Sequence, residues 1–562
     1  MSKIDPVRLE VIRNTLVAAA EEMSITIWRT SRSTVVREIL DYSTAVFDAS
    51  GNNIAQSARI PVHLNSMSDC LRRILDDFIP LEQWNDGDVI VTNDPYSGGQ
   101  HLSDIQTFRP VFVDGVRVGI VGTLCHHVDV GGAAAGSYYA AATEIFQEGI
   151  RIPPLRLVDK GVLNTGVFEM LLHNIRQPDE TRGDLNAQIA ALGIGERAVT
   201  RMARKYGPDS LAAAMAAILD GSETMMRSAL AALPDGEASF VELVDDDGQS
   251  DEPIRLEVRI VKSGDSIALD FAGSSPQVSG PVNNTRAMTC SAIYYALLAA
   301  LGGDIPANSG CYRPVSVTLP PGSVVDAVFP APVAGRMVIN HRIAIAVFGA
   351  LAQIAPKRIP AAYYAISYVY ALQTLGRQGK GQVYFDIEVG GWGAHAGGDG
   401  ASALSCGLHN NTNAPIEMVE AKYPVTFTKY GLIPDSGGAG AFRGGLGLVR
   451  EWRLDADAGK LGAHFERFRF PPHGIQGGKP GSLSSMTITH PDGSRTALRS
   501  KISGIPLKAG DIVTIETSGG GGYGDPLTRD PARIAADLAD GMITPGAASR
   551  LHGYPTKTET AA

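Results

Sequence analysis

Residues 89–104 read Val-Ile-Val-Thr-Asn-Asp-Pro-Tyr-Ser-Gly-Gly-Gln-His-Leu-Ser-Asp, and this stretch decides how the first part of the chain is organised. Its apolar start follows the turn pair Asp86-Gly87, which predicts a strand over the first four residues. Asn93-Asp94-Pro95 ends that strand, because this combination is typical of turns. The glycine pair then predicts a loop whose backbone approaches a neighbouring segment. The stretch therefore predicts a sheet with a polar loop at its edge.

Further elements of this sheet are predicted on both sides of the stretch. Asp5-Pro6 is a typical helix start, and apolar residues follow at helical spacing as far as Ile27, which predicts a long amphipathic helix lying on the sheet. A turn at 49–52 separates two short strand patterns, so these predict a hairpin. The expected strands are 42–48, 53–57, 108–113 and 117–124, and a second helix is expected over 67–78.

Helical and strand patterns alternate along the remaining chain. Apolar residues with a 3.6-residue period predict a helical pair, which ends at a soft boundary near residue 236. From 320 to 510 turns and short strands are expected to dominate, with glycine-dense loops at 390–400 and 444–447. The predicted elements are helices over 184–206, 210–233 and 284–301, strands over 254–260, 266–271 and 511–517, and a final helix from Asp530.

These patterns predict an α+β protein of several domains, with mixed sheets, long helices and glycine-rich loops. A chain of 562 residues is too long for one ordinary core. We expect a metal-site domain with a helical pair, a small α+β domain, a glycine-rich domain dominated by strands, and a C-terminal helical tail. Their expected ranges are 1–235, 236–330, 331–526 and 527–562.

Composition and charge exclude several functional classes. The formal net charge is -10 and no segment gathers a stripe of Lys and Arg, which argues against nucleic-acid binding. Apolar runs such as 287–301 are shorter than the roughly 20 residues of a membrane-spanning helix, and no signal-peptide pattern opens the sequence, so no membrane association and a cytoplasmic location are expected. The 5 cysteines are scattered, which predicts free thiols rather than disulfides.

Four residues of the first 130 form a candidate metal set. His101 and Asp104 stand three residues apart, which places both side chains on one face of a helical turn. His126 and His127 end a predicted strand, where consecutive side chains point to opposite faces, so only one of them is expected at the same site. With Asp41 at another strand end, two histidines and two aspartates suit Zn²⁺, Mn²⁺ or Fe²⁺. Hydrogen-bonded imidazoles without a metal are the alternative.

Other polar residues are weaker candidates, because each also has a structural explanation. His63 follows a proline and either lines a pocket or makes one structural hydrogen bond. Glu144 and Glu148 are either acid–base carboxylates or part of a solvated edge, the latter being favoured for Glu148. The predicted substrate-binding residues are His63, Asn174, Arg176 and His395. Helix capping is the alternative role for Asn174 and Arg176. For His395 the alternative is that its glycine-rich loop is a simple turn or hinge.

Several motifs of the chain resemble those of the hydantoinase B/oxoprolinase family, and the resemblance spans nearly the whole sequence. The family includes the β subunits of ATP-dependent hydantoinases and lactamases, the second half of one-chain 5-oxoprolinase, and subunits of acetone and acetophenone carboxylases. The motifs that carry the resemblance are Asn93-Asp-Pro-Tyr-Ser-Gly-Gly-Gln-His-Leu-Ser-Asp104, His126-His-Val-Asp-Val-Gly-Gly132, Glu148-Gly-Ile-Arg-Ile-Pro-Pro154, Asn174-Ile-Arg-Gln-Pro178 and Ser518-Gly-Gly-Gly-Gly-Tyr-Gly-Asp-Pro526.

The resemblance implies a mononuclear metal site. The implied ligands are an acidic residue, both ends of the His-x-x-Asp motif and one histidine of the His-His pair, which correspond here to Asp41, His101, Asp104 and His126. Zinc or manganese is the expected metal, with iron as a further candidate. Some relatives have Glu at the position of Asp41. The predicted catalytic residues beside the metal are His127, Asp129 and Glu144, the first two also serving to support the ligands or contact substrate.

The resemblance also implies a use of ATP that this chain does not perform alone. Relatives phosphorylate the substrate oxygen, because a metal that polarises a carbonyl or acidifies water is not sufficient to open a stabilised ring amide. No P-loop is present, since Gly474-Ile-Gln-Gly-Gly-Lys479 has the wrong spacing and no following hydroxyl residue. ATP and Mg²⁺ are therefore expected on a hydantoinase A-type α subunit, in a heteromer such as α2β2.

The expected function is that of a metal-containing β subunit of an ATP-dependent cyclic-amide hydrolase. Its substrate would be a small molecule such as a hydantoin, a lactam or a 5-oxoproline-like ring. The enzyme alternative is a subunit of an ATP-dependent ketone carboxylase of the acetone or acetophenone type. The non-enzymatic alternative is a scaffold subunit, against which the four intact metal-type residues argue.

Overall fold

A seven-stranded antiparallel sheet forms the first part of the protein, in a computed structural model that describes residues 5–63, 65–375, 379 and 381–555. Its strand order is β2-β1-β5-β4-β3-β6-β7. The hairpin predicted around 49–52 is confirmed, because β1 and β2 pair across that turn. The strands are β1 (Tyr42–Phe47), β2 (Asn53–Gln56), β3 (Val89–Thr92), β4 (Asp104–Val113), β5 (Val116–His126), β6 (Leu155–Asp159) and β7 (Val162–Leu163).

Helices cover both faces of this sheet. The long opening helix is confirmed: Asp5 caps it by accepting a hydrogen bond from the backbone N–H of Arg8, and its apolar side packs with two later helices against the sheet. The opposite face of the sheet is covered by the second predicted helix, which ends in a π-helical turn over Ile74–Phe78. The helices are α1 (Pro6–Thr30), α2 (Thr34–Arg37), α3 (Ser66–Arg73), α4 (Thr165–His173), α5 (Pro178–Tyr206) and α6 (Pro208–Ala231).

A four-stranded sheet with the order β11-β10-β9-β8 follows the helical pair. Its last two strands, β10 and β11, are parallel, and a helix crosses between them as such a connection requires. The strands predicted over 254–260 and 266–271 and the helix predicted over 284–301 are confirmed. The elements are β8 (Gly236–Val244), β9 (Ile254–Ser263), β10 (Ser266–Asp270), α7 (Arg286–Leu301) and β11 (Val315–Thr318).

Two helices interrupt the turns and short strands expected from 320 to 510: the long α8 (Met337–Ile354) and the short α9 (Ile416–Lys422). Every residue from Met337 to Leu351 is buried, so α8 lacks the amphipathic period by which surface helices are predicted. Its length and apolarity would also allow it to cross a membrane, and among the described residues it is the one helix that meets this criterion. Because it is packed inside the protein on nearly all sides, we interpret it as a core helix.

Two further sheets complete the α+β architecture, with orders β13-β12-β16-β19 and β14-β15-β20-β17-β18. One hydrophobic cluster includes Val244, Ile343, Tyr368 and Val513, so the three sheets beyond residue 236 share a core, whereas the C-terminal helices form a small cluster of their own. The predicted domain ranges stay a prediction. The remaining elements are β12 (Tyr368–Leu375), β13 (Gly381–Glu388), α9 (Ile416–Lys422), β14 (Val425–Leu432), β15 (Leu448–Leu454), β16 (Ala458–His464), β17 (Ser485–Thr489), β18 (Arg495–Ala497), β19 (Lys501–Lys508), β20 (Ile512–Glu516), α10 (Pro531–Ala539) and α11 (Pro545–His552).

The glycine-rich segments pack directly on one another through their backbones. The N–H of Gly445 donates to the carbonyl of Trp392 at 2.8 Å, and the N–H of Gly520 donates to the carbonyl of Gly445 at 2.9 Å. A Cβ atom at Gly520 would lie 1.9 Å from the carbonyl oxygen of Trp392, which is far inside contact distance. Only glycine permits such close approach of three chain segments, so these loops form a rigid layer.

Candidate metal centre

The ends of two neighbouring strands bring His101, Asp104 and His126 together. Asp104 begins β4 and lies opposite His126, the last residue of β5, in the antiparallel register. His101 reaches the same place through a turn in which the N–H of Asp104 donates to the carbonyl of His101 at 2.9 Å. His101 and Asp104 therefore lie on one side, as expected. A turn before β4 places them there, and not the helical turn on which the expectation was based.

The Oδ1 atom of Asp104 is the meeting point of the two imidazoles. It lies 3.1 Å from His126 Nδ1 and 3.3 Å from His101 Nε2. All three side chains are buried, and a set of donor atoms, one from each residue, lies within 4.8 Å of one another. Although both are buried, His101 Nε2 and His126 Nε2 make no hydrogen bond of regular geometry with any residue that the structure describes. Buried imidazole nitrogens are normally hydrogen-bonded, so the two nitrogens and the carboxylate fit a cation as the shared partner.

Asp41 lines the same small cavity from the start of β1. Its carbonyl accepts the N–H of His126 at 3.0 Å, and its Oδ1 lies 3.7 Å from His63 Nε2. His63 is held by a 2.9 Å hydrogen bond between its Nδ1 and Ser43 Oγ. The cavity has a volume of about 20 Å³, enough for one ion or one water-sized group. The predicted pocket position of His63 and its predicted structural hydrogen bond are thus both present.

Burial and charge set the ionisation of these groups. Burial raises the pKa of Asp41 to about 6. Burial opposes the charged form of Asp104 too, but the charges of His101 and Arg336 and its hydrogen bonds hold its pKa well below the usual range. Burial lowers the pKa of His63 and of His101 to about 3. At neutral pH the carboxylates of Asp41 and Asp104 are therefore ionised and the imidazoles of His63 and His101 are neutral, the forms in which these side-chain types bind metals.

His127 points away from the cavity, as strand alternation requires. Its Nε2 lies 3.1 Å from Gln188 Oε1 on α5, on the other face of the sheet. Asp129 is fully buried and accepts hydrogen bonds from the backbone N–H groups of Gly131, Gly136 and Arg176 and from the Arg176 side chain. These contacts support the strand end and the following loop, and neither His127 nor Asp129 lines the cavity.

Four other predicted residues lie outside the cavity, namely Glu144, Asn174, His395 and Arg176. Glu144 is exposed and caps the short turn over Ile145–Gln147. Asn174 ends α4 and its amide donates to the Met170 carbonyl at 2.8 Å, which agrees with the capping alternative. His395 is exposed in its glycine loop. Arg176, the fourth, holds the loop after Asp129 through carbonyls of Gly131, Gly132 and Ala134.

The expectation that Glu148 belongs to a solvated edge is wrong. Its side chain is 1 % exposed, and its Oε1 accepts the N–H of Ala334 at 2.8 Å. The reason is the loop that precedes α8, which covers the glutamate from a distant part of the sequence.

Sequence reasoning missed Tyr138, Arg336 and His409, which complete the cavity wall. The Tyr138 ring lies 5.8 Å from that of His101 and 5.7 Å from that of Phe385, so it covers the imidazoles. Arg336 donates from Nη2 to Asp104 Oδ2 at 2.8 Å. The Nδ1 atom of His409 lies within hydrogen-bond distance of Ser367 Oγ. None of the three had a sequence signal that pointed to the cavity, because each lies far along the chain from the predicted ligands or in a loop without a local period.

Known proteins share both the sequence and the fold of this chain. A profile of the hydantoinase B/oxoprolinase family matches residues 5–526. The B-type subunit of a putative D-/L-hydantoinase from a Pseudomonas species is 32% identical over 97% of this chain and 94% of its own length. The beta subunit of the caprolactamase of Pseudomonas jessenii is 33% identical over 97% of this chain and 95% of its own length.

Two solved structures superpose closely on the protein. The crystal structure of ATP-dependent caprolactamase from Pseudomonas jessenii matches with a TM-score of 0.93 and 32% identity, covering 100% of this chain and 98% of that chain. A nucleotide-free acetone carboxylase structure matches with a TM-score of 0.90, covering 99% of this chain and 81% of that chain, but at 18% identity, so this second match concerns the fold alone. The profile match over almost the entire sequence and the whole-length relatives agree with the motifs around His101 and His126: the chain belongs to the hydantoinase B/oxoprolinase family.

Proposed function

We propose that this chain is the metal-binding β subunit of an ATP-dependent enzyme that hydrolyses a cyclic amide, such as a hydantoin, a lactam or a 5-oxoproline-like ring. The observation that carries the proposal is the buried cluster of His101, Asp104 and His126, in which neither Nε2 atom makes a hydrogen bond of regular geometry with a described residue. The relatives named as subunits of a hydantoinase and of a caprolactamase support the cyclic-amide substrate class.

The donor set suits a divalent metal of intermediate softness. Asp41, His101, Asp104 and His126 would hold it, and two imidazole nitrogens with two carboxylates favour zinc or manganese, with iron as a further candidate. Bound there, the ion would supply a Lewis acid for the hydrolysis of an amide carbonyl.

The protein side chains around this set orient the ligands and exclude water. His63 faces Asp41 and is fixed by Ser43, so it restricts the position of that carboxylate. Tyr138 and Phe385 cover the imidazoles with aromatic rings, 5.8 Å and 5.3 Å from His101 and His126 respectively. Exclusion of water strengthens every charge interaction inside the cavity.

We further propose that ATP and Mg²⁺ bind on a hydantoinase A-type α subunit and that the two chains form a heteromer. Two relatives are named as B-type and beta subunits, which supports an α-type partner, and the ATP dependence of the superposed caprolactamase supports the use of ATP. The sequence lacks a P-loop, which supports a nucleotide site on the partner.

The decisive test compares the two adjacent histidines and Asp104 in the complex with the α subunit. We expect Asp104→Ala and His126→Gln to lose bound metal and ATP-dependent ring opening together. His127→Gln is the matched control, which should keep its metal because His127 faces Gln188. Metal is measured by elemental analysis, and turnover by ATP consumption with hydantoins, lactams and ketones, with and without bicarbonate.

Two results would contradict the proposal. Asp104→Ala with unchanged turnover would indicate a scaffold subunit. Incorporation of bicarbonate into the product of a ketone would indicate a carboxylase.

A further inference from the structure

The helix α8 begins at the cavity wall with a buried guanidinium group. Arg336 stands at the N-terminal cap of the helix and lines the cavity with Met337. The side chain of Arg336 is 4% exposed. A helix N-terminus carries a partial positive charge and unsatisfied N–H groups, so both the backbone and the side chain make this side of the cavity positive.

The hydrogen bonds of Arg336 use only one of its three nitrogens. Nη2 donates to Asp104 Oδ2 and to Gln100 Oε1, each at 2.8 Å. Nε and Nη1 are buried, and no described residue accepts a hydrogen bond from either nitrogen. Charged N–H donors that are left unpaired inside a protein are unfavourable, because they lose their hydrogen bonds to water. The contacts with Asp104 and Gln100 account for Nη2. They do not account for the burial of Nε and Nη1.

The charges of the cavity also favour a negative ligand once a divalent ion is bound. Asp41 and Asp104 contribute two negative charges, which a divalent ion cancels. Arg336 then adds one positive charge to the cavity wall. One negative charge on a ligand would neutralise the cavity.

We propose that Arg336 binds the negatively charged oxygen of the substrate or product, that is, a carbonyl oxygen that gains charge or the carboxylate formed by ring opening. The cavity of about 20 Å³ is too small for a whole phosphate group. The class of ligand is therefore a carboxylate-like oxyanion of which one oxygen enters the cavity. This inference rests on the proposed function, since cyclic-amide hydrolysis produces a carboxylate.

Formate, the smallest carboxylate, is the probe for this site. The metal-loaded full-length chain is titrated with ¹³C-formate, and binding is followed by ¹³C NMR line width. Arg336→Lys keeps the charge but loses the planar pair of donors, and Arg336→Met removes both. Arg529→Lys is the control, because Arg529 is also buried and paired with two carboxylates, Asp399 and Asp537, but does not line the cavity. Metal content and thermal unfolding are measured for every variant.

We expect the wild type and Arg529→Lys to bind formate alike. Arg336→Lys should bind it about tenfold more weakly and Arg336→Met should show no saturable binding, in line with the loss of hydrogen bonds to a charged group. In the assembled enzyme kcat and kcat/KM should fall together for Arg336→Lys, because the contact strengthens as charge develops.

The proposal is overturned if the wild type does not bind formate or if Arg336→Met binds it as tightly as the wild type. It is also overturned if Arg336→Lys loses metal and formate binding together, since Arg336 would then act only through Asp104. Ring opening is assayed separately, so formate binding that depends on Arg336 in a complex without ring-opening activity contradicts the proposed function alone.

Discussion

Glu148 places a carboxyl group inside the protein with only one of its oxygens hydrogen-bonded. Oε1 accepts a hydrogen bond from the N–H of Ala334, whereas no described residue donates a hydrogen bond to Oε2. Burial raises the pKa of Glu148 to about 8, although the backbone N–H groups of Ala334 and Val333 and the charge of Arg336 lower it in part. At neutral pH this residue is therefore largely protonated, and it behaves as a neutral anchor for the segment before α8.

The stability of the protein should fall as Glu148 ionises. Its pKa is about 4.5 in the unfolded chain and about 8 in the folded protein, so the stabilisation by the neutral form is complete below pH 4.5 and is lost as the pH rises through 8. We expect Glu148→Gln, which mimics the neutral carboxyl group, to show a smaller decrease of Tm than the wild type between those values. Thermal unfolding at a series of pH values checks this, and parallel curves for the two proteins would contradict it.

The residues of the cavity differ in how far the sequence reveals them. Asp41, His101, Asp104 and His126 lie in one part of the chain at strand ends, so their types and positions suggested a common site. Tyr138 and Arg336 have no such pattern, because their position depends on a loop and on a helix that join the sheet only through tertiary packing. Long-range packing of this kind leaves no local period in the sequence.

At the level of elements, the layer of glycine-rich segments depends on the absence of side chains. Gly520 lies between Trp392 and Gly445, with backbone hydrogen bonds connecting these segments. The sequence predicted loops here, but it could not indicate that the loops pack on one another, since glycine is equally typical of free turns. The fixed contact partners of each glycine distinguish this layer from a set of hinges.

We expect Gly520→Ala to destabilise the protein strongly. The added methyl group would meet the Trp392 carbonyl at 1.9 Å, and overpacking of this kind costs about 1–3 kcal/mol or more, because backbone on both sides must move. Gly221→Ala is the control: Gly221 lies in α6 with open space around it, so alanine should stabilise the helix by about 0.5–1 kcal/mol. Denaturant unfolding of both variants measures the difference, and equal stability of Gly520→Ala and wild type would contradict the packing argument.

The elements that the sequence predicted well share a clear local signal. α1 begins with the Asp5-Pro6 cap and keeps its apolar spacing through Ile27, and β3 matches the predicted range 89–92. The helix α8 was missed for the opposite reason. Most of its residues are apolar, and they lie on every side because every side is buried, so the spacing of the apolar residues shows no helical period.

At the level of the whole molecule, a buried ionic cluster connects distant parts of the chain. Arg342 of α8 donates to Glu242 of β8 and to Glu466, which follows β16. Arg467 pairs with Glu242 at 3.0 Å and Lys501 with Glu466 at 2.7 Å. Alternating charges inside the protein satisfy one another, so these segments are held in one arrangement.

Removal of one charge from this cluster should reduce stability. We expect Arg342→Met to lower the free energy of unfolding by about 3–5 kcal/mol, since both glutamates lose a partner and remain buried. Arg259→Ala, which removes an exposed pair with Glu237, should leave stability unchanged. Urea unfolding gives both values. A loss for Arg342→Met no larger than for Arg259→Ala would contradict a structural role of the cluster.

The cavity also has a consequence for the synthesis of the protein. Its donor atoms come from residues up to 126, whereas Met337, Val369, Ile387 and His409 form the opposite wall. Ribosomes add about 5–20 residues per second, so imidazoles and carboxylates leave the exit tunnel on the order of tens of seconds before the groups that shield them from solvent. During translation the side chains of His101, Asp104 and His126 therefore stay open to solvent until the last wall residue has folded into place, and a cation that binds them under the proposed function would have to be selected without that wall.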